Sequence, residues 1–72
     1  MMKLFIEIET DNAAFGDDNP IEAAAECVRI LRDISEARMS NAMNDAVNYG
    51  EAREALHDIN GNRVGRLVIV AV

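Results

Sequence analysis

The 72-residue sequence contains one cysteine, one proline, no tryptophan and only three aromatic residues, Phe5, Phe15 and Tyr49. Cys27 alone cannot close an intramolecular disulfide, and with His57 as the only histidine there is no Cys/His cluster to hold a structural zinc. Both usual staples of a short chain are therefore missing, although a domain of this size buries only about 60% of its unfolded surface. Oligomerisation is the support that remains. No apolar run approaches the roughly 20 residues that cross a bilayer, and the N-terminus lacks a basic segment followed by an apolar one. The expectation is a single cytoplasmic domain, 1–72, with no membrane partner.

Positive charge is scarce in the first third. Through residue 26, Lys3 faces Glu7, Glu9, Asp11, Asp17, Asp18, Glu22 and Glu26, whereas from residue 27 onward six arginines balance six acids. The net charge of −6 therefore belongs to the N-terminal part. Direct nucleic-acid binding is disfavoured, because phosphate contacts need a basic patch. A basic partner, or simple solubility, fits better, and the solvated acidic end is the preferred reading because charge of this size is ordinary for a small soluble domain.

What is present is a clear alternation of elements. In Lys3 to Thr10, Leu4, Ile6 and Ile8 share one face while Lys3, Phe5, Glu7 and Glu9 share the other, the period of a half-buried strand. Phe5 interrupts the polar face, either as a cross-strand contact or as an interface anchor. Residues 11–19 are rich in Asp, Asn and Gly and read as a loop. Asn19-Pro20-Ile21-Glu22 then opens a helix, with Asn19 as N-cap, Pro20 in the first turn and Glu22 where a capping-box carboxylate belongs. Ala24, Cys27, Val28, Leu31 and Ile34 continue at helical spacing, with Arg29–Asp33 and Arg32–Glu36 as i,i+4 pairs. From Met39 to Tyr49 the helix continues or a second short one forms at about 40–49, ended by Gly50 in a left-handed cap. Met39 and Met43 serve an irregular core or an adaptable contact surface, core filling being the default.

Ala55–Ile59 and Val64–Val72 flank Asn60-Gly61-Asn62 as a hairpin, with a bulge at Gly65. Leu67 to Val72 is apolar at every position, although strand side chains alternate between faces. The expected fold is α+β: β-α-β-β, a three-stranded antiparallel sheet of order 1-3-2, with one main helix on one face. Phe5, Val68, Val70 and Val72 would then lie on the uncovered face as an interaction surface.

Chemistry is sparse. Asp11 to Glu22 has the span of a calcium loop, but Ala13 and Phe15 stand where oxygen ligands are required. A weak divalent site at Asp11, Asp17 and Asp18 is the most that stretch offers. Cys27 lies on the apolar helix stripe and reads as a buried structural thiol. His57 and Asp58 are adjacent on a strand and point to opposite faces, so they form no dyad, and Glu7 and Glu9 share a face without a visible pocket. Neither catalysis nor a cofactor is expected.

The segments Leu4-Phe5-Ile6-Glu7-Ile8-Glu9-Thr10-Asp11-Asn12-Ala13-Ala14-Phe15 and Asp58-Ile59-Asn60-Gly61-Asn62-Arg63-Val64-Gly65, joined by Val28-Arg29-Ile30-Leu31-Arg32, resemble a family of small phage and prophage proteins. The likeness covers roughly two-thirds of the chain; Met39 to Tyr49 departs from it as an apparent insertion. It implies structural roles for Asn12 and Phe15 in the first loop and for Asn60-Gly61 in the hairpin, and no catalytic residue. Phage origin implies a binding protein that inhibits a host protein, such as an anti-CRISPR or another anti-defence factor. It would act in the host cytoplasm as a homodimer, through Phe5, Glu7, Glu9, Asp11, Asp17, Asp18, Val68 and Val70. Two alternatives stand beside it: an oligomeric sponge for a nucleotide signal, using arginines such as Arg63 and Arg66, and a structural or assembly component of the phage.

Overall fold

The computed structural model describes residues 1–71. Strand β1, Met2–Ile8, leads through a 3-10 turn at Ala13–Phe15 into helix α1, Pro20–Asp33. A π-helical turn, Ile34–Arg38, joins α1 to α2, Met39–Tyr49, and the strands β2, Glu51–His57, and β3, Arg63–Ala71, complete the chain. The sheet is antiparallel with order β1-β3-β2, and the helical layer packs on one face, as the pattern predicts. Val72, expected at the end of the last strand, lies outside the described residues.

The helix starts where expected. Asn19 Oδ1 accepts from the Ile21 and Glu22 amides at 3.0 and 3.3 Å, with Pro20 in the first turn, where its missing N–H costs nothing. The capping box does not close reciprocally, because the Asn19 amide donates to the Gly16 carbonyl instead. The i,i+4 pairs are also replaced: Arg29 turns back to Glu26, and Asp33 meets Arg38 at 3.0 Å.

No separate second helix forms. The chain stays helical from Pro20 to Tyr49, and the π-turn, where the Met39 amide donates to the Ile34 carbonyl, supplies the transition. An extra residue in one turn rotates all later side chains by roughly 100°. Continuing regularly from Ile30 and Ile34, the inward positions would be Asn41 and Asp45; after the π-turn they are Ala42 and Ala46, both buried. Met39 and Met43 pack beside them, half-buried against the core, which is the filling role expected of them. Gly50 takes φ 86°, donates to the Ala46 carbonyl and accepts from the Ala71 amide, so the helix cap is also the first contact with β3.

Strand β2 begins four residues earlier than expected and ends two earlier. Its first half, Glu51-Ala52-Arg53-Glu54, has weak intrinsic strand preference. Register supplies what propensity lacks: Ala52 lies opposite Ile69 and Glu54 opposite Leu67. The hairpin is wider than an Asn-Gly two-residue turn. Only Gly61 adopts positive φ, the Asp58 amide bonds the Asn62 carbonyl, and the Gly61 amide bonds the Asp58 carbonyl.

The core comprises Phe15, Ile30, Ile34, Ala42, Ala46, Ala52, Leu56, Val64, Leu67 and Ile69. Leu67 and Ile69 are completely buried beneath the helix. The register breaks between Leu56 and His57, where Leu56 faces Gly65 and His57 faces Arg63, so Val64 is the extra residue of a bulge beside Gly65. Gly65 also lies hard against β1, for a side chain there would run into the Glu7 carbonyl. Replacing Gly65 with Ala is expected to push β1 from its register and lower stability by about 1–3 kcal/mol, read as a reduced urea midpoint.

Candidate interaction surface

Residues directly opposed across an antiparallel pair share a face, which sorts the sheet without ambiguity. The face away from the helix carries three rows across β1, β3 and β2: Lys3–Val70–Glu51, Phe5–Val68–Arg53 and Glu7–Arg66–Ala55. Phe5 is 56% exposed, whereas Val68, seated between Phe5 and Arg53, is 9% exposed, and Val70 is half-buried. Charges close the two ends: Glu7 lies 3.7 Å from Arg66, and Arg53 lies 3.5 Å from Glu51. The apolar part of this face is thus a narrow strip through Phe5, Val68 and Val70 between charged borders. The broad oily face expected from Leu67 to Val72 is narrowed because β1 and β2 contribute polar residues on either side of it.

A second exposed apolar surface lies on the other face of β1. Leu4 and Ile6 oppose Ile69 and Leu67, so they point to the helix side, yet they are 42% and 38% exposed while their partners are fully buried. The helix packs on β2 and β3. Every residue from Met2 to Glu7 is exposed, and β1 is an edge strand with apolar side chains on both faces. Nothing in the local pattern of β1 distinguishes this from an ordinary half-buried strand; the shortfall arises from where the helix lies.

The other candidate residues divide into two groups. Glu9 follows β1, its amide donating to the Val64 carbonyl at 2.7 Å, and with Glu7, Arg63, Val64, Gly65 and Arg66 it lines a shallow recess. Asp11, Asp17 and Asp18 are exposed in the loop before α1, with Asp17 and Asp18 at positive φ, so the structure does not gather them with Phe5 and Val68. Among the described residues no group of three or more His, Cys, Asp or Glu is placed to hold a metal ion, and the divalent site considered for those three aspartates is not assembled. Cys27 is half-buried against the core rather than fully enclosed.

Two buried carboxylates, neither anticipated as important, organise the end of the molecule where β1 gives way to the first loop. Asp58 Oδ1 accepts from the Asn60 and Asn62 amides at 2.9 and 2.8 Å, and Oδ2 accepts from the Asn12 and Asn62 side-chain amides at 2.9 and 3.2 Å. Asn12 in turn caps the 3-10 turn by accepting from the Ala14 amide, and the Phe15 of that turn is completely buried. Glu26 on α1 accepts from the Ile59 amide at 2.8 Å and from Arg29, whose Nη2 also donates to the His57 carbonyl at 3.0 Å. His57 and Asp58 therefore serve the hairpin through backbone carbonyl and carboxylate, with no dyad between them. Chain separations of 46 and 33 residues explain why no local pattern shows these bonds.

No protein-family model matches the chain, nor does any curated protein or solved structure. Among the described residues, no helix is long and apolar enough to cross a membrane.

The network carries a pH dependence of definite sign. The Arg29 hydrogen bond holds the Glu26 carboxyl below its ordinary value against the opposing effect of burial, with the Ile59 amide assisting. Burial would raise Asp58, but the bonds from Asn62, Asn12 and Asn60 together outweigh it and lower its pKa. Groups depressed in the folded state stabilise it fully above their unfolded values, roughly pH 4, and lose that contribution as pH falls through the folded values. The urea midpoint is accordingly expected to drop on acidification below about pH 4. Asp58→Asn is expected to lower the midpoint at pH 7 and to flatten that acid limb.

Proposed function

We propose that the chain is a protein-binding module that acts by stoichiometric occupation of its partner. The observation that carries this reading is β1, exposed along its length with apolar side chains on both faces while forming an open sheet edge. Unpaired edges and contiguous exposed apolar surface are features that soluble domains otherwise suppress. Glu7, on the same face as the Phe5, Val68 and Val70 strip, favours a basic target there, and Glu9, Asp11, Asp17 and Asp18 add a longer-range acidic field from beyond the strand. In the phage setting implied by the sequence resemblance, the module works in the host cytoplasm as a homodimer and inhibits a host protein, an anti-CRISPR or another anti-defence factor. Catalysis, a cofactor and direct nucleic-acid contact play no part in this reading.

Arg63 and Arg66 lining one recess are the observation that favours the nucleotide-sponge alternative. Glu7 and Glu9 line the same recess, however, and cancel the positive field that phosphates require. The sponge therefore ranks second, and a structural phage role, with no observation in its favour, ranks third.

Affinity capture of the tagged chain from host cells, followed by reconstitution with the purified partner, tests the reading. One protein is expected in stoichiometric recovery, and Val70→Asp is expected to weaken its reconstituted binding by about tenfold or more without changing the fold. Recovery of no specific partner overturns it.

A further inference from the structure

An edge strand offers two things to another strand: a ladder of backbone groups and a pattern of side chains. The ladder of β1 can be assigned. The Glu9 amide bonds Val64, and hydrogen-bonded pairs alternate along an antiparallel ladder, so Lys3, Phe5 and Glu7 direct their backbone groups toward β3. Met2, Leu4, Ile6 and Ile8 direct theirs off the edge.

The side-chain pattern of β1 is complementary to itself reversed. Met2-Lys3-Leu4-Phe5-Ile6-Glu7-Ile8 has Phe5 at its centre, opposite charges two residues to either side, and aliphatic residues at every even position. We propose that two copies of this chain pair antiparallel through their β1 edges about a two-fold axis at Phe5. Lys3 then lies opposite the partner's Glu7 and Leu4 opposite the partner's Ile6. The outward backbone groups at positions 4 and 6 bond one another, as do those at 2 and 8, and Phe5 meets the partner's Phe5 in a non-hydrogen-bonded pair, where side chains approach most closely.

Other registers fit worse. Centring on Lys3 or Glu7 sets like charges against each other, and centring on Leu4 or Ile6 sets Phe5 against a charge. A slip of one residue places the two helical layers on opposite faces. The β2 edge offers no equivalent: centred pairing would oppose Glu54 to its own copy, and Glu54 points to the helix side with one buried oxygen lacking a hydrogen-bond partner. Inward-pointing charge of this kind is a common protection of an edge.

The product is a continuous six-stranded sheet with both helical layers on one side, closed by isologous symmetry. On the open face the Phe5–Val68 strip of each copy joins into one stripe, and on the helix side the exposed Leu4 and Ile6 of each copy lie beside the other's. This rests on the homodimeric part of the function proposed above and names its geometry: the second copy takes the β1 edge, and the open-face stripe is the surface left for the basic partner.

Purified protein, studied alone by sedimentation and light scattering over a concentration series, provides the test, so partner binding is not involved. The wild type is expected to dimerise. Lys3→Glu gives an all-acidic edge and Glu7→Lys an all-basic one, and each is expected to raise the dimer dissociation constant by about tenfold or more. Because Glu7→Lys also loses the Arg66 contact, the decisive reading is their equimolar mixture, expected to recover dimer as a one-to-one heterodimer. In a Cys27→Ala background, Phe5→Cys is expected to oxidise to a disulfide-linked dimer, because the Cα atoms of such a pair lie about 4.5 Å apart. A wild type that stays monomeric overturns the proposal and the homodimer together. A dimer indifferent to both charge variants, a mixture that does not recover, or a Phe5→Cys variant that does not cross-link overturns the β1 geometry and leaves the homodimer standing.

Discussion

One helical layer has to cover a three-stranded sheet, and it is too narrow to do so. A helix with its side chains is about 10–12 Å across, while neighbouring strands lie about 4.8 Å apart, so a single helix shields roughly two strands. Here it shields β3 and β2, leaving Leu67 and Ile69 without solvent contact, while Leu4 and Ile6, directly across the same ladder, stay partly in water. The exposed edge at β1 is a consequence of that geometry. The apolar run in β3 has its explanation there too. As the central strand it is flanked on both sides and covered on one face, and on the other face Phe5 and Arg53 leave Val68 little solvent.

The π-turn shows how closely the helix is fitted to its task. Without it, the stripe that begins with Ile30 and Ile34 would bring Asn41 and Asp45 onto the sheet; with it, small apolar residues arrive instead and α2 lies close on β2. The sequence contains this phase shift, since Ile34 is followed by Ala42 and Ala46 rather than by apolar residues at 41 and 45. Spacing alone leaves open whether one helix continues through the break or a second begins there. A change of phase with no Gly or Pro at the break is the sign of an inserted residue, because neither of the usual helix-ending residues lies between Ile34 and Tyr49.

Strand order was legible from the apolar run of β3, which asks for a central place, and the start and end of the helical region from local chemistry, the Asn19-Pro20 cap and the Gly50 terminator. The extent of β2 was not, since Glu51 to Glu54 becomes a strand through pairing with β3 rather than through its own preference. The candidate surface was legible in part. Phe5, Glu7, Val68 and Val70 do meet on one face, but the acids at 11, 17 and 18 stay in the loop, and the exposure of Leu4 and Ile6 depends on the lateral position of the helix. The Asn12–Asp58 and Glu26–Ile59 bonds lay beyond any local reading as well. The first joins the first loop to the hairpin and the second joins α1 to it, forming a single polar end of the molecule.

That division of charge bears on how an acidic chain can associate with itself. A net charge of −6 opposes dimerisation if it is spread over the contact. On β1, however, one lysine and one glutamate stand at equal distances from Phe5, so the edge itself is neutral and its charges meet opposite partners in the two-fold arrangement. The excess acids begin beyond Ile8. With about 3.3 Å per residue, Ile8 is already about 10 Å from the axis, so the acidic loops of the two copies fall at opposite ends, roughly 20 Å or more apart. The screening length at physiological salt is about 8 Å. Repulsion between the loops of the proposed pair is therefore weak where its Lys3–Glu7 attraction is strongest, so the net acidity of the chain does not oppose that arrangement.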